Sequence, residues 1–337
     1  MKKKIIFRAD GNKTTGLGHL YRLFGVVEML KEHYEFVYLT RSSSTTSVIP
    51  KDYTTVLLGS DITSEKEPHW IANRYEPKNH IIIADGYHFT SLYQKEIKEL
   101  GFQLIYIDDL AKEHMYADIV INHSPYLKVS DFTHESNTEF ALGTKFALLR
   151  PSFLEAAKKT REIKSINKAF VCFGGADMLN LSLKATQALL QIDQIEEIHV
   201  VLGAAYQDQE IYALEKQASS RLHTHSNLSE NELADLMTSC NFAIAPTSTI
   251  LYELCCVKMP ILGGYFVDNQ ELIYKGFLEK HAIFGGGDYT QYTVDSFKNA
   301  ILGILEVKSY ENCLHSQQEL FDADIKQRFL NLIEHLC

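Results

Sequence analysis

The chain alternates short apolar runs with polar segments of helix length, and this pattern constrains its fold more than any other feature. The runs of the first 150 residues show no polar alternation, as expected for strands whose sheet is covered on both faces. They lie at residues 4–8, 36–39, 56–58, 81–84, 104–107 and 119–121. The segment after the first run has an apolar stripe at helical spacing, formed by Leu20, Leu23, Phe24, Val27 and Leu30. Strands separated by helices predict a parallel, doubly wound α/β sheet.

A change in composition precedes a second copy of this pattern. The stretch from Arg150 to Lys168 is rich in Lys and Arg without interleaved aromatic residues, which favours a solvated helix and linker over a binding patch. Further strands are predicted at residues 169–173, 198–202, 242–245 and 260–262, and late helices at 294–307 and 317–336. Because 337 residues exceed what one core usually serves, we expect two Rossmann-like domains, 1–150 and 151–337, facing each other across a cleft. The last helix can pack back on the first domain.

The charge and cysteine pattern narrow the functional classes. The formal charge is −10, from 33 basic and 43 acidic residues, which argues against non-specific binding to nucleic acid or to anionic membranes. No apolar run approaches the span of a bilayer and the N-terminus lacks the pattern of a signal peptide, so we expect a cytoplasmic protein without membrane insertion. The cysteines show no C-x-x-C spacing, which predicts buried reduced thiols and no structural zinc site. They are Cys172, Cys240, Cys255, Cys256, Cys313 and Cys337.

Two glycine-bearing loops precede predicted helices. In the first, Gly16 to Arg22, His19 stands where the helix begins, facing the crevice beyond the strand's carboxyl end. It is therefore the first candidate for catalysis, although a single histidine near such a turn is more often a helix cap or a packed polar residue than a catalyst. Other predicted strands of this half also end in polar residues, a pattern that lines a ligand crevice or caps the next helix. These are Asp85, Asp108, Asp109, Asn122 and His123.

The second constellation lies in the second half of the chain. The loop Gly174–Gly175 and the segment Thr247–Thr249 each precede a helix, and free amides and hydroxyls there would suit a diphosphate. Glu253 is one turn beyond Thr249, in position to accept hydrogen bonds from the two hydroxyls of a ribose. Simple helix capping by Ser and Thr explains the same residues equally well.

The order of these motifs resembles a known family. Gly16 to Arg22, the Gly174–Gly175 loop, Ser248–Thr249 with Glu253, and Asp268 to Gln270 follow one another as in the UDP-2,4-diacetamido-2,4,6-trideoxy-β-L-altropyranose hydrolases of pseudaminic acid biosynthesis. This family is related to spore-coat polysaccharide proteins and to MurG-like glycosyltransferases. Further matching stretches, among them residues 108–110, 117–122 and 143–153, extend the resemblance over nearly the whole chain.

The resemblance implies a GT-B type fold with the uridine diphosphate held by the second domain. It implies hydrolysis between the anomeric carbon and the diphosphate of a UDP-linked amino sugar, without a metal or other cofactor, and His19 as the catalytic residue activating water. It also implies two sets of binding residues. The substrate set is Gly18, Arg22, Tyr87, Asn269 and Gln270, and the nucleotide set is Gly174, Gly175, Ser248, Thr249 and Glu253.

The chain departs from the family pattern at two places. The family usually has a histidine between the aspartate and tyrosine of its first-domain motif, whereas Gly86 intervenes here and His88 follows Tyr87. A glycine pair commonly precedes the Ser-Thr segment, but this chain has residues 245–247, Ala-Pro-Thr. Three functions are therefore compatible with the residues: a UDP-sugar hydrolase, a GT-B glycosyltransferase using a UDP-amino sugar, or a catalytically silent nucleotide-sugar binding protein.

Overall fold

A computed structural model describes residues 3–12, 16–203 and 205–336 of the chain. Its contacts divide these residues into two units: the first runs to Pro151 and resumes at Asp324, and the second is Ser152–Ala323. Within the described residues no helix is long and apolar enough to cross a membrane.

The first unit is built on a sheet whose seven described strands are all parallel, in the order β3-β2-β1-β4-β5-β7-β9. Both faces are covered, so β4 is buried from its second residue onward. The strands are β1 (Lys4–Ala9), β2 (Phe36–Arg41), β3 (Thr55–Leu58), β4 (His80–Asp85), β5 (Gln103–Ile107), β7 (Ile119–Asn122) and β9 (Glu139–Leu142). A short separate pair is β6 (His114–Met115) with β8 (Thr133–His134).

The apolar stripe of the first helix faces the core as predicted, because all five of its residues are buried. The helices of this unit are α1 (Gly18–Leu30), α2 (Glu67–Ala72), α3 (Ser91–Glu99) and α12 (Ile325–Leu336). Strand β9 has no counterpart among the predicted strands. It lies at the sheet edge and is only partly buried, so its sequence carries no continuous apolar run.

The second unit repeats the plan with six described parallel strands in the order β12-β11-β10-β13-β14-β15. They are β10 (Lys168–Val171), β11 (Glu197–Leu202), β12 (Leu222–Ser226), β13 (Phe242–Pro246), β14 (Ile261–Tyr265) and β15 (Phe284–Asp288). The sequence did not predict β15, which contains three glycines. One of them is needed for packing, since a Cβ at Gly286 would lie 2.6 Å from the ring of the buried Tyr289.

Helices cover both faces of this second sheet. They are α4 (Pro151–Ala157), α5 (Leu181–Leu190), α6 (Glu210–Gln217), α7 (Glu230–Ser239), α8 (Thr249–Val257), α9 (Asp268–Glu279), α10 (Val294–Leu305) and α11 (Glu311–Leu320). The prediction of one helix over 317–336 is wrong, because α11 ends at Leu320 and α12 begins at Ile325. Phe321 is extended and buried against Tyr252 and Phe277, so the apolar spacing continues although the helix does not.

Helix α12 belongs to the first unit although it ends the chain. Its buried residues are Ile325, Phe329, Leu330 and Ile333, and its neighbours are α1 and the 3-10 helix Thr144–Phe146. The ring of Phe329 lies 6.3 Å from that of Phe146. This second crossing of the domain boundary leaves Ser152–Ala323 as a continuous unit.

Five of the six cysteines are free and buried. Burial raises the pKa of Cys172 to about 11 and of Cys313 to about 12, which keeps both as thiols at neutral pH. The sixth, Cys337, lies outside the described residues. Among the residues that the structure describes, no group of three or more His, Cys, Asp or Glu is arranged to hold a metal ion.

Candidate functional site

His19 lies in the first turn of α1, against the end of strand β4. Its Nδ1 is 2.8 Å from Oδ1 of Asp85, the last and fully buried residue of that strand. The register explains the contact: Ala9, the last residue of β1, pairs with Asp85, so the chain leaving β1 enters α1 over the end of β4. The imidazole is mostly buried, with 15% of its side chain exposed.

Arg22 follows His19 by one helical turn and faces the same carboxylate, as residues three apart on a helix do. Its guanidinium donates to both oxygens of Asp85 and, at 2.6 Å, to Oδ1 of Asp109. Burial alone would raise the pKa of each carboxyl, but the charge of Arg22 more than compensates and lowers both, that of Asp109 well below its usual range. Both carboxylates are therefore ionised around one guanidinium.

This arrangement selects one tautomer of His19. A carboxylate can only accept, so the 2.8 Å contact with Asp85 requires the proton on Nδ1. The Nη2 of Arg22 lies 3.0 Å from the same nitrogen, but the ionised Asp85 is nearer and attracts the N–H. Nε2 then carries the lone pair of a base. Two carboxylates against one guanidinium leave one negative charge, which stabilises the imidazolium that forms when Nε2 takes a proton.

Tyr87 completes the described surroundings of His19. The two rings meet edge to face with centroids 4.7 Å apart, and the phenol donates to Oδ2 of Asp109 at 3.1 Å. Tyr87 is half exposed, so one face is available to a ligand. Gly18, the residue before His19, adjoins open space, since a Cβ there would have no heavy atom within 4 Å.

Gly86, which stands where the family usually has histidine, is required by its neighbour. A Cβ at Gly86 would lie 2.9 Å from Cε1 of His88. His88 in turn places Nε2 3.2 Å from Oδ2 of Asp10, the residue after β1. The histidine displaced in sequence therefore approaches a carboxylate at the same edge of the sheet.

Asp10 belongs to a buried ionic cluster that sequence reasoning missed. Arg8 donates to Asp10 at 2.6 Å and to Glu67 at 2.7 Å, and both Arg8 and Glu67 are fully buried. Arg41 donates to the same two carboxylates through its backbone N–H and its side chain. The available signal was Arg8 itself, a charge inside an otherwise apolar strand, which requires a buried partner.

In the second unit, the loop after β10 is held close to the end of β11. Gly174 has a φ of +84°, a conformation that side chains disfavour, and a Cβ at Gly203 would lie 2.3 Å from the carbonyl oxygen of Gly175. Gly174 and Gly175 are both exposed. Asp177, which follows in the same loop, caps α5: its carboxylate accepts hydrogen bonds from the backbone N–H groups of Leu181 and Ser182.

The predicted hydroxyl donors at the start of α8 differ from one another. Thr247 is fully buried and donates its hydroxyl proton to the carbonyls of Gly264 and Gln270, so the expectation that it offers a free donor is wrong. Ser248 is half-buried at the N-cap, and its side chain makes no capping hydrogen bond. Thr249 is the half-buried first residue of the helix. These two hydroxyls therefore remain the candidates for ligand contact.

Glu253 lies one turn further along α8 and is 3% exposed. Burial raises the pKa of Cys172, and the negative charge of Glu253 raises it further, which locates this carboxylate beside the end of β10. The residues predicted to bind the nucleotide thus come from neighbouring strand ends, β10 and β13, of one sheet.

Asn269 and Gln270 lie in the first turn of α9. The side-chain oxygen of Gln270 accepts from the backbone N–H of Phe266 at 3.1 Å, and Gln270 is 7% exposed. With its carbonyl held by Thr247, this residue ties α9 to the start of α8. Asn269 is half-buried. The predicted substrate residues thus fall in both units, three in the first and two in the second.

No family model matches the chain. Curated relatives do. A UDP-2,4-diacetamido-2,4,6-trideoxy-β-L-altropyranose hydrolase of Campylobacter jejuni is 28% identical over 271 residues, 80% of this chain and 93% of that protein. The resemblance is confirmed. The spore coat polysaccharide biosynthesis protein SpsG of Bacillus subtilis is 24% identical, over 81% of this chain and 80% of that one.

A protein of Methanocaldococcus jannaschii is 27% identical over 82% of this chain, but the match spans only 58% of that longer relative. This chain therefore covers less than two thirds of the archaeal protein.

The solved structures that match share the fold at low identity. MurG of Acinetobacter baumannii has a TM-score of 0.67 at 13% identity, over 99% of both chains. UGT71G1 of Medicago truncatula, in complex with UDP-glucose, has a TM-score of 0.62 at 10% identity, over 99% of this chain and 98% of that one. The spinosyn rhamnosyltransferase SpnG, in complex with thymidine diphosphate, has a TM-score of 0.66 at 12% identity, over 100% of both chains. This chain has the GT-B fold, as the family resemblance implied.

Sequence reasoning noticed the two aspartates around Arg22 without giving them a role. Asp85 and Asp109 were grouped with the polar strand ends, but nothing in the spacing showed that Arg22 would join them. Their common signal is an aspartate at the end of an apolar strand, as for Asp85 in β4, or two residues beyond it, as for Asp109 after β5. Strand order then decided which strand ends meet, because β4 lies between β1 and β5.

Proposed function

We propose that the chain is a UDP-sugar hydrolase that cleaves the bond between the anomeric carbon and the diphosphate of a UDP-linked diacetamido-trideoxy sugar. In this proposal the products are UDP and the free amino sugar; the C. jejuni relative is named as a hydrolase of such a UDP-linked sugar. The observation that carries the proposal is the 2.8 Å contact between Nδ1 of His19 and the buried carboxylate of Asp85.

In the proposed reaction, Nε2 of His19 takes a proton from water as the oxygen attacks the anomeric carbon. The bond from that carbon to the diphosphate oxygen breaks, and its electron pair leaves with UDP. Asp85 holds the imidazole in the tautomer with a free Nε2, and the negative charge it shares with Asp109 stabilises the imidazolium. UDP is a good leaving group, so the paired carboxylic acids of ordinary glycosidases are not needed.

The nucleotide is assigned to the second unit. We propose that the amides of Gly174 and Gly175 and the hydroxyls of Ser248 and Thr249 bind the diphosphate, since exposed loop amides and helix N-termini favour anions. Glu253 accepts from the ribose hydroxyls. In the proposal Gly18, Arg22 and Tyr87 surround the sugar together with Asn269 and Gln270. Arg22 acts chiefly by fixing the two aspartates.

The proposal is tested by incubating the purified protein with the UDP-linked diacetamido sugar and following phosphorus and proton NMR. We expect free UDP and free sugar without any acceptor, and His19→Ala should lose most turnover while its UDP affinity stays within about twofold of wild type. As the matched control, Glu253→Gln should weaken UDP binding. If His19→Ala loses UDP affinity as severely as turnover, the assigned division of roles is wrong.

A glycosyltransferase is the second candidate, because a rhamnosyltransferase shares the fold. In that case an acceptor hydroxyl would replace water at Nε2 of His19. UDP release that depends on an added acceptor would favour this activity, and nucleotide-sugar binding without turnover would favour a silent binding protein.

A further inference from the structure

A cavity of about 490 Å³ lies in the second unit, away from the residues assigned to the nucleotide. Its lining comes from the segment before β10, from Lys258 before β14, and from α11 with the residues just before it. Residues that precede parallel strands meet at the amino edge of a sheet, whereas Gly174 and Ser248 follow β10 and β13 at the opposite edge. The volume is in the range of small-molecule pockets, about 300–1,000 Å³.

The lining carries an excess of positive charge, with four basic against two acidic side chains and a formal sum of +2 when His315 is neutral. This contrasts with the charge of −10 of the whole chain. The charged residues of the lining are Arg161, Lys164, Lys258, Lys308, Glu162 and Glu311. The cavity is therefore a local cationic site on an acidic protein.

Arg161 is a partly buried cation that forms no ion pair with a carboxylate of the described residues. Its Nη2 donates to the carbonyl oxygens of Thr238 and Cys240, while Nη1 is buried and has no hydrogen-bond partner among the described residues. Burial lowers the pKa of Arg161, and no ion pair within the described residues offsets it. Since buried charges in proteins are normally paired, the guanidinium lacks a counter-charge.

Lys258, in the same lining as Arg161, also lacks a counter-charge among the described residues. The side chain is almost fully buried, and its Nζ donates to the carbonyls of Ala157 at 2.8 Å, Cys256 at 3.1 Å and Ala156 at 3.4 Å. Its hydrogen bonds are thus made to neutral groups, and no carboxylate of the described residues pairs with its charge. Gln318, also in the lining, has a buried Oε1 that no described residue contacts by a hydrogen bond. The cavity thus combines two cations lacking anions with one unused acceptor.

We propose that this cavity binds a small phosphate-bearing molecule, with the phosphate accepting from Arg161 and attracted by Lys258, Lys164 and Lys308. A phosphate group carries about −1.5 to −2 charges at neutral pH, which matches the surplus of +2 better than one carboxylate does. When singly protonated it also offers a hydroxyl that Gln318 Oε1 can accept. The remaining volume accommodates an organic group, so the source is either inorganic phosphate or a phosphorylated metabolite.

The test is calorimetric titration at constant ionic strength, with inorganic phosphate and a hexose 6-phosphate as the two probes. Arg161→Gln should weaken phosphate binding about 10- to 100-fold, because charge-assisted hydrogen bonds are lost. Lys308→Gln removes an exposed charge of the lining and should weaken it about two- to fivefold. Lys216→Gln, an exposed lysine of α6 outside the lining, is the matched control and should leave it unchanged.

Tighter binding of the hexose phosphate than of phosphate supports a metabolite, and equal affinities support inorganic phosphate. The proposal is overturned if each probe binds Arg161→Gln and Lys308→Gln as tightly as it binds the wild type. It is also overturned if neither probe binds the wild type. Arg161 also donates hydrogen bonds to two backbone carbonyls, so its replacement could disturb folding. The fold of each variant is therefore checked by far-UV circular dichroism. If Arg161→Gln does not fold, the exposed Lys308 decides the outcome.

Discussion

Asp85 has two partners that compete for its charge. Arg22 neutralises it, and His19 uses it to hold a proton on Nδ1. The contact with His19 depends on Arg22, because a buried carboxyl without Arg22 would tend to protonate. A protonated Asp85 would no longer fix the proton of the imidazole on Nδ1. The second carboxylate, Asp109, restores the negative charge that Arg22 cancels. The proposed catalytic role of His19 thus depends on four side chains from one helix and two strand ends.

Asp85→Asn should lower turnover about 100- to 10,000-fold with little change in KM. The amide can donate to Nδ1 and so favours the tautomer whose Nε2 is protonated and cannot act as a base. Steady-state kinetics on the UDP-linked diacetamido sugar measure the effect. Asp109→Asn is the control, since it removes the same charge without touching Nδ1. An equal loss in the two variants would mean that charge, not the tautomer, matters.

His123 makes stability depend on pH. It is 4% exposed, and burial, with a further contribution from Arg22, lowers its pKa to about 4. Below the unfolded value of about 6.5 the unfolded chain binds a proton that the folded chain does not, so stability falls as the pH drops from 7 to 5. This one residue should account for about 2 kcal/mol of that loss.

Urea unfolding of the wild type and of His123→Asn at both pH values measures this loss. The asparagine retains an acceptor for the backbone N–H of Leu148 but does not titrate. The variant should therefore lose about 2 kcal/mol less than wild type between pH 7 and 5. The same pH dependence in both proteins would assign the effect to other groups.

At the scale of elements, helix α1 packs closely on the chain that ends the first domain. A Cβ at Gly25 would lie 2.7 Å from the carbonyl oxygen of Leu149, so a glycine is what allows this approach. The same helix presents His19 and Arg22 at its start. Its position against the segment before α4 therefore also helps to fix the site.

Gly25→Ala should destabilise the protein by about 1–3 kcal/mol, because the methyl group cannot be accommodated without moving backbone. Gly303→Ala is the matched control: Gly303 is an exposed glycine of helix α10 with nothing within 4 Å of a Cβ. That change should stabilise by about 0.5–1 kcal/mol through helix propensity. Denaturant midpoints measure both, and equal signs for the two variants would contradict the close packing of α1.

At the scale of the whole molecule, the chain crosses its domain boundary twice. Helix α12 returns to the first unit, where Phe329 is buried and Lys326 pairs with Glu32 at 3.0 Å. The stability of the first unit therefore depends on the end of the chain. The second unit, Ser152–Ala323, contains no part of that helix.

Phe329→Ala should cost the first unit about 3–5 kcal/mol through loss of burial and the cavity left behind. Hydrogen exchange then should quicken at amides of α1 and β1 while those of β10 and β13 keep their protection. Glu334→Ala, on the exposed side of the same helix, should change neither. Uniform loss of protection over both units would show that they unfold as one.

The sequence by itself determined the two α/β units, their buried parallel strands and the pairing of His19 with Arg22 on one helix face. These features depend on residues close together in the chain, whose spacing directly records which side is buried. It did not reveal strands β9, β12 and β15, because partly buried edge strands and a glycine-rich strand have no continuous apolar run. The two-residue strands β6 and β8 were missed as well.

Only the tertiary structure decided which polar groups become partners. Asp85 and Asp109 reach Arg22 because strand order brings distant segments together. The hydroxyl of Thr247 donates to Gly264 and Gln270 for the same reason, although its place in the sequence before a helix predicted a hydroxyl free to bind a ligand. Arg161, predicted to lie in a solvated linker, lines a cavity instead. Periodicity records burial along one element, whereas hydrogen bonds and charges are completed across elements.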